Sequence, residues 1–243
     1  MKDKKQNFEP EKAITIPIGK NDAGEIVYKD LFSLGNILIG GDNRFWTKYV
    51  SSLITSLSER YSDEELQIIL NSNGRKVFSS FKGNCHFWGG KVKTRTPEIL
   101  DVAHVLYRIY RERYKLLENF GGSFFEYNKT AKRKLPVIVS ITSDYSKLLG
   151  RKGNHFFFHE FINKALYTKG TGVFLIVATS NYSIEPSSIR DGWNAYFPTR
   201  LEFYQRIYNA PKSVLQNTKD QVRPLKDDVI LQTKDDLQKF CIL

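Results

Sequence analysis

The residues best placed to do chemistry lie in segment 36–57, which reads NILIGGDNRFWTKYVSSLITSL. An apolar strand ends at two glycines, Gly40 and Gly41, and a polar turn leads into an amphipathic helix. This is the layout of a phosphate-binding loop, in which glycines let backbone N–H groups surround phosphate oxygens and a lysine neutralises their charge. The segment therefore has the frame of a nucleotide site.

The chemical groups of that motif are replaced. A functional loop reads G-x-x-x-x-G-K-[ST]. Counted from Gly41, the second glycine is Trp46, the lysine is Thr47 and the magnesium-binding hydroxyl is Lys48. Each charge-assisted hydrogen bond lost costs about 1.5–3 kcal/mol, so we expect binding of Mg-ATP to be weak or absent. Taken alone, the segment also fits an ordinary strand–turn–helix, because G-G-D-N is a common turn signal.

Length and composition fit one large α/β domain. The chain has 243 residues, of which 41% are hydrophobic. Residues 1–12 are predicted to be a flexible lead-in or linker, and residues 13–243 a single domain. No apolar run approaches the ~20 residues of a membrane span, and the charged N-terminus does not resemble a signal peptide. Cys85 and Cys241 have no metal or redox spacing, which fits a reducing compartment.

The chain is strongly basic, with a net charge of +11 and a pI of about 9.5. Such a surface can attract nucleic acid, anionic lipid or an acidic protein. No groove-binding or base-stacking motif accompanies the charge, so a soluble, lysine-rich surface explains it equally well. The basic residues cluster at Lys91, Lys93 and Arg95, at Arg108, Arg111, Arg113 and Lys115, and at Lys129, Lys132, Arg133 and Lys134.

Strand-like segments alternate with helical ones, which predicts a parallel, three-layer α/β sheet. Segment 135–142, LPVIVSIT, is almost wholly apolar, as expected for a strand buried on both faces. Further strands are predicted over 14–18, 25–28, 37–40, 67–70, 172–179, 200–207 and 228–233. Helices are predicted up to residue 57, over 97–120 and around 158–166. The first of them has an apolar face formed by Val50, Leu53, Ile54 and Leu57.

Four segments resemble motifs of FtsK/SpoIIIE-type ATPases, in the same order along the chain. They are ITIPIGKNDAGEIVYKDL, IYRERYKLLENFGGSFFEYN, LPVIVSITSDYSKLL, and TGVFLIVATS with the later FPTRLEF. The last of these is similar to the family pattern T-R-I-A-F. The resemblance implies a three-layer, RecA-like P-loop NTPase fold with a central, mostly parallel sheet.

The resemblance also shows where the chain departs from the family. The family's Walker B aspartate and glutamate fall on Ser143 and Asp144. Serine cannot hold magnesium as a carboxylate does, and an aspartate is short for a residue that aligns the attacking water. The sensor-like positions fall on Thr179, Ser180 and Lys212. At Ser180 the family has a glutamine, and at Lys212 it has an arginine. These changes imply a pseudo-ATPase with no catalytic residues and no cofactor.

Within the family, the chain most resembles the degenerate C-terminal ATPase domain of EssC and EccC, the membrane ATPases of type VII secretion systems. NSNGRKVFSSFKGNCHF and the terminal LQKFCIL carry this closer likeness. It implies a domain of a larger, membrane-anchored protein at the cytoplasmic face of a bacterial membrane. The implied partners are secreted effectors or WXG100-type substrates and neighbouring FtsK-like domains. Nucleic acid is not an expected partner, nor is membrane insertion by this segment.

Several alternatives stay open at this point. The chain could be an active ATP-driven translocase of DNA or protein with an altered nucleotide site, or a DNA-binding module driven by its charge. His155 and His159 have zinc-compatible spacing, but no third ligand is evident, so no metal site is predicted. The aromatic group Phe45, Trp46 and Tyr49 either fills the former nucleotide pocket or offers an apolar docking surface.

Overall fold

The computed structural model describes residues 13–72, 76–88, 92, 96–143, 170–180, 195–205, 214–215 and 223–243. Within these ranges, nine strands form one sheet. The strands are β1 (Thr15–Lys20), β2 (Ile26–Asp30), β3 (Ile37–Gly40), β4 (Leu66–Ser72), β5 (Val137–Ser143), β6 (Val173–Ala178), β7 (Thr199–Phe203), β8 (Asp228–Gln232) and β9 (Leu237–Cys241). The helices are α1 (Leu31–Leu34), α2 (Asn43–Arg60), α3 (Thr96–Glu118) and α4 (Phe124–Thr130), with a 3₁₀ turn at Lys76–Phe81.

The sheet has the order β2-β1-β9-β8-β7-β3-β6-β5-β4. Its centre is a run of five parallel strands, from β7 through β3, β6 and β5 to β4. The strands β8, β9, β1 and β2 extend this run by antiparallel pairing. Because the ends of β3, β5, β6 and β7 point the same way, their carboxyl termini meet along one edge of the sheet.

Helices cover both faces of this sheet. Alternate residues of β5 belong to different core clusters, since Val137, Val139 and Ile141 pack with α2 while Ile138 packs with α3. Every residue of β5 and β6 is buried, which explains their almost continuous apolar sequence. The predicted three-layer α/β architecture is confirmed, and with it the mostly parallel centre of the sheet.

The long helices follow their sequence signals. The apolar face predicted for α2 is buried, including Leu53 and Leu57. Helix α3 has Pro97 at its first turn and is followed by Gly122, whose positive φ of 75° lets its N–H donate to the carbonyl of Leu117 at 2.8 Å.

Two short helices, strand β9 and several element boundaries differ from the prediction. Helices α1 and α4 have four and seven residues, too few to show an apolar period, and are marked instead by their N-caps Asp30 and Ser123. Strand β7 ends at Phe203 rather than at residue 207, and the carbonyl of the next residue, Tyr204, accepts the Asp42 N–H just before α2. The predicted lead-in 1–12 and the predicted helix near 158–166 lie outside the described residues.

Candidate functional site

The carboxyl edge of the parallel strands brings together most of the residues that the phosphate-loop hypothesis singles out. Gly40 ends β3, Ser143 ends β5, and Thr179 and Ser180 follow β6. The N–H of Thr179 donates to the carbonyl of Ile39 at 2.9 Å, which fixes the end of β6 against β3. Asp144 and Lys212, the other two predicted positions, lie outside the described residues.

The two glycines are required by the packing of the strands. Gly41 has φ = 119°, and a Cβ built on it would lie 2.5 Å from the carbonyl oxygen of Phe203. A Cβ on Gly40 would lie 2.6 Å from Oε2 of Glu202. Both glycines therefore allow β3 and the following turn to approach β7 closely. Their presence needs no phosphate to explain it.

Helix α2 begins at Asn43, four residues before the lysine position of the motif at Thr47. Residues 43–46, which a phosphate-binding loop would hold open around its ligand, are instead helical. The backbone N–H of Asp42 donates to the carbonyl of Tyr204 at 3.0 Å. The N–H groups of Phe45 and Trp46 donate to the carbonyl of Asp42, at 3.0 and 3.4 Å. These donors are used within the protein.

Asp42 is the N-cap of α2, and its carboxylate accepts the Arg44 N–H at 3.0 Å. The same carboxylate pairs with the exposed Arg44 guanidinium at 2.8 Å, and this hydrogen bond raises the pKa of Arg44. The N-terminus of a helix favours negative charge and is where a phosphate normally binds. Here the Asp42 carboxylate, paired with Arg44, already supplies that charge from within the protein.

Trp46 is fully buried beneath this turn. Its indole N–H donates to the Ser180 hydroxyl at 3.2 Å, which joins the position of the second loop glycine to a sensor-like position. Tyr49 is also buried, and its hydroxyl donates to the Pro17 carbonyl at 2.9 Å. Phe45 is half-buried, with its ring 5.7 Å from that of Tyr204. The burial of Trp46 and Tyr49 favours the interpretation that these rings fill space rather than form a docking surface.

The charged groups of a magnesium–phosphate site are replaced by neutral or distant ones. Thr47 is buried and its hydroxyl has no hydrogen-bond partner among the described residues, while Lys48 is exposed to solvent. The hydroxyl of Ser143, at the predicted Walker B position, is likewise buried and has no partner in the part of the chain that the structure describes. Neutral hydroxyls provide neither the ammonium nor the carboxylate that Mg-ATP requires. Thr47 and Ser143 therefore do not supply the charges that this ligand needs at the lysine and Walker B positions.

Sequence reasoning missed two residues of this edge. Ser72 ends β4 directly opposite Ser143, and within the described ranges its buried hydroxyl also lacks a hydrogen-bond partner. Glu202 on β7 is 2% exposed and accepts the Val214 N–H at 2.9 Å. A signal for Glu202 was available, because it stands in TRLEF where the family pattern T-R-I-A-F has alanine. Together with Asp42, Glu202 is a second carboxylate at this edge, and it lies beside Gly40.

Comparison with known proteins agrees with the fold. No protein-family model matches the chain. The DNA translocase FtsK of Chlorobaculum tepidum is 27% identical over 205 residues, which cover 79% of this chain and 25% of that protein. The cytoplasmic domain of the type VII secretion ATPase EccC of Thermomonospora curvata superposes with a TM-score of 0.75 at 17% identity, over 98% of this chain and 29% of that one.

Two further solved structures have the same fold. EssC (ATPases 2 and 3) from Geobacillus thermodenitrificans has a TM-score of 0.71 at 15% identity, over 94% of this chain and 44% of that one. Thermomonospora curvata EccC (ATPases 2 and 3), in complex with a signal sequence peptide, has a TM-score of 0.69 at 15% identity, over 96% of this chain and 41% of that one. The chain spans a quarter to under half the length of these proteins. The predicted resemblance to an FtsK/SpoIIIE-type ATPase domain like those of EssC and EccC is confirmed.

Proposed function

We propose that this chain is a catalytically inactive FtsK-like domain of a type VII secretion membrane ATPase, and that it acts by binding protein. Its role is substrate recognition in protein export, or regulation of the ATPase domains beside it. The observation that carries this proposal is the closed start of α2. Asp42 caps the helix with its own carboxylate, and Trp46 is buried against Ser180 where the phosphate loop would be open.

The energetic cost to nucleotide binding follows from the groups that are missing. A lysine ammonium on the phosphates and a carboxylate behind magnesium each account for about 1.5–3 kcal/mol. Losing both weakens binding by about 3–6 kcal/mol, or roughly two to four factors of ten. The Asp42 carboxylate also caps the start of α2 where a phosphate would bind, so we expect nucleotide binding to be weak.

The solved relatives support the protein-binding half of the proposal. One EccC structure contains ATPases 2 and 3 with a signal sequence peptide, so ATPase modules of this fold take part in peptide binding. In the described part of the chain, no helix is long and apolar enough to cross a membrane. Because a similar solved structure is the cytoplasmic domain of a secretion ATPase, we propose the cytoplasmic face of the membrane as the location of this domain, with other parts of a larger protein as its anchor.

The rival function is an active ATP-driven translocase, which is favoured by the similarity to a DNA translocase. Calorimetric titration with Mg-ATP separates the two, because the proposal predicts no saturable binding below millimolar nucleotide. A second titration, with the signal peptide of a secreted type VII substrate, should give the same affinity with and without Mg-ATP. Micromolar nucleotide binding with turnover would instead support the translocase.

A further inference from the structure

A groove of about 650 Å³ lies on the face of the sheet opposite α2. We call it the α3 groove. One wall is the second half of α3, another is segment 85–88, and the third is the chain that enters β5. Its volume is within the range of about 300–1,000 Å³ that is usual for ligand-binding pockets. It is separate from the phosphate-loop edge.

Apolar side chains line this groove without being covered. Trp88 on segment 85–88 and Leu116 on α3 are each 37% exposed, which makes them two of the few large hydrophobic side chains exposed among the described residues. Leu135 also lines the groove, and the buried Ile109 and Ile138 lie in its lining. Tryptophan beside a concave apolar surface is a frequent anchor in protein–protein interfaces. The groove therefore offers apolar surface for a partner to bury.

The charge of the groove is positive. Arg113 is 5% exposed and donates to the carbonyls of Thr171 and Pro136, each at 2.8 Å, with a longer contact of 3.4 Å to Gly172. These bonds use three of its five N–H donors, and no carboxylate in the described residues pairs with it. Burial lowers the pKa of Arg113 to about 10, so it is still cationic at neutral pH.

A second arginine strengthens this positive charge. Arg133 also lines the α3 groove and is exposed, while Glu112 is the one carboxylate among the described lining residues. A nucleic-acid backbone would need several exposed cations, of which only Arg133 is present among the described lining residues, and it would leave the apolar walls uncovered. A peptide that carries apolar side chains and carboxylates on the same face would match both the apolar walls and the two arginines.

We propose that the α3 groove docks an acidic, amphipathic peptide segment of a partner protein. Apolar side chains of that segment pack on Trp88 and Leu116, and a carboxylate pairs with Arg133 and Arg113. The inference rests on the proposed function, because it supplies the surface on which an inactive domain of this kind binds protein.

The test uses three fluorescent helical peptides of about 16 residues, measured by anisotropy with the whole chain. The first carries leucines at i, i+3, i+4 and i+7, with glutamates between them. In the second the glutamates are lysines, and in the third the leucines are serines. We expect the first peptide to bind at least about tenfold more tightly than either of the others.

Variants of the protein then locate the binding. Leu116→Ser and Arg133→Glu should each weaken the first peptide at least about fivefold. Leu225→Ser and Lys226→Glu are the matched controls, because both residues are exposed and neither lines the groove, and they should change nothing. Trp88→Phe should remove the shift in tryptophan emission that accompanies binding, while anisotropy still detects the complex. Circular dichroism confirms that each variant is folded.

Two results would overturn the proposal: equal binding of all three peptides, or binding that the groove variants leave unchanged. Competition with the signal peptide of a secreted type VII substrate keeps this inference distinct from the proposed function. If the signal peptide binds and the groove variants do not affect it, the groove is wrong and the proposed function stands. If the acidic peptide binds in the groove but the signal peptide binds nowhere, the groove stands and the substrate-recognition part of the proposed function fails.

Discussion

Replacing Trp46 by alanine should be among the most destabilising single changes in α2. The indole is fully buried between α2 and the sheet, and its N–H donates to the Ser180 hydroxyl. Removing a buried tryptophan ring costs about 3–5 kcal/mol, and the lost hydrogen bond about 0.5–1.5 kcal/mol more. We therefore expect the free energy of unfolding to fall by about 3.5–6.5 kcal/mol. In a domain of this size each kcal/mol lowers Tm by roughly 2–4 °C.

The measurement is guanidinium chloride unfolding followed by far-UV circular dichroism. Trp46→Phe is the matched control, because it keeps a ring in the core and loses the N–H donor. Combined with Ser180→Ala in a double-mutant cycle, it should give a coupling energy of about 0.5–1.5 kcal/mol for the indole–hydroxyl bond. A loss below about 1 kcal/mol for Trp46→Ala would refute the reasoning, because it would mean that the indole is not packed in the core.

Three further changes test the same edge. Asp42→Ala should cost about 0.5–2 kcal/mol of stability in thermal unfolding because it removes the cap of α2, whereas Asp42→Asn should cost far less; equal losses would contradict the capping role. Gly41→Ala should destabilise more than Gly24→Ala, since both have positive φ but only the Cβ at Gly41 would strike the Phe203 carbonyl; similar melting temperatures would argue against that close approach. Burial raises the pKa of Tyr49 above its ordinary value of 10.0, so the folded state holds this proton more tightly and stability should fall as pH rises above about 10. Tyr49→Phe should lose less stability over that pH range in alkaline unfolding, and an unchanged slope would contradict this assignment.

The fold follows from local patterns wherever these are long and strong. Three patterns are visible in the sequence and are confirmed by the structure. They are the apolar runs of β5 and β6, the helical spacing of apolar residues in α2, and the glycines after α3. Helix α4 has only seven residues, so its packing rather than its own period determines it. Short elements of this kind need their tertiary neighbours to form.

The candidate site was only partly accessible to sequence reasoning. The substitutions at Trp46, Thr47 and Ser143 can be read from motifs, but the geometry cannot. The early start of α2 depends on Asp42 as its cap, which the motif register conceals. The contact between Trp46 and Ser180 joins residues 134 positions apart, and no local pattern predicts it. The carboxylate of Glu202 becomes relevant only because β7 pairs directly with β3.

The central claim is that the start of α2 is closed to phosphate from within the protein. Isothermal titration of the purified chain with Mg-ATP, alongside a nucleotide-binding FtsK-type domain as positive control, tests it most directly. If the start of α2 is closed, we expect no saturable binding heat below millimolar nucleotide and no release of phosphate. A dissociation constant in the micromolar range, with measurable turnover, would contradict it.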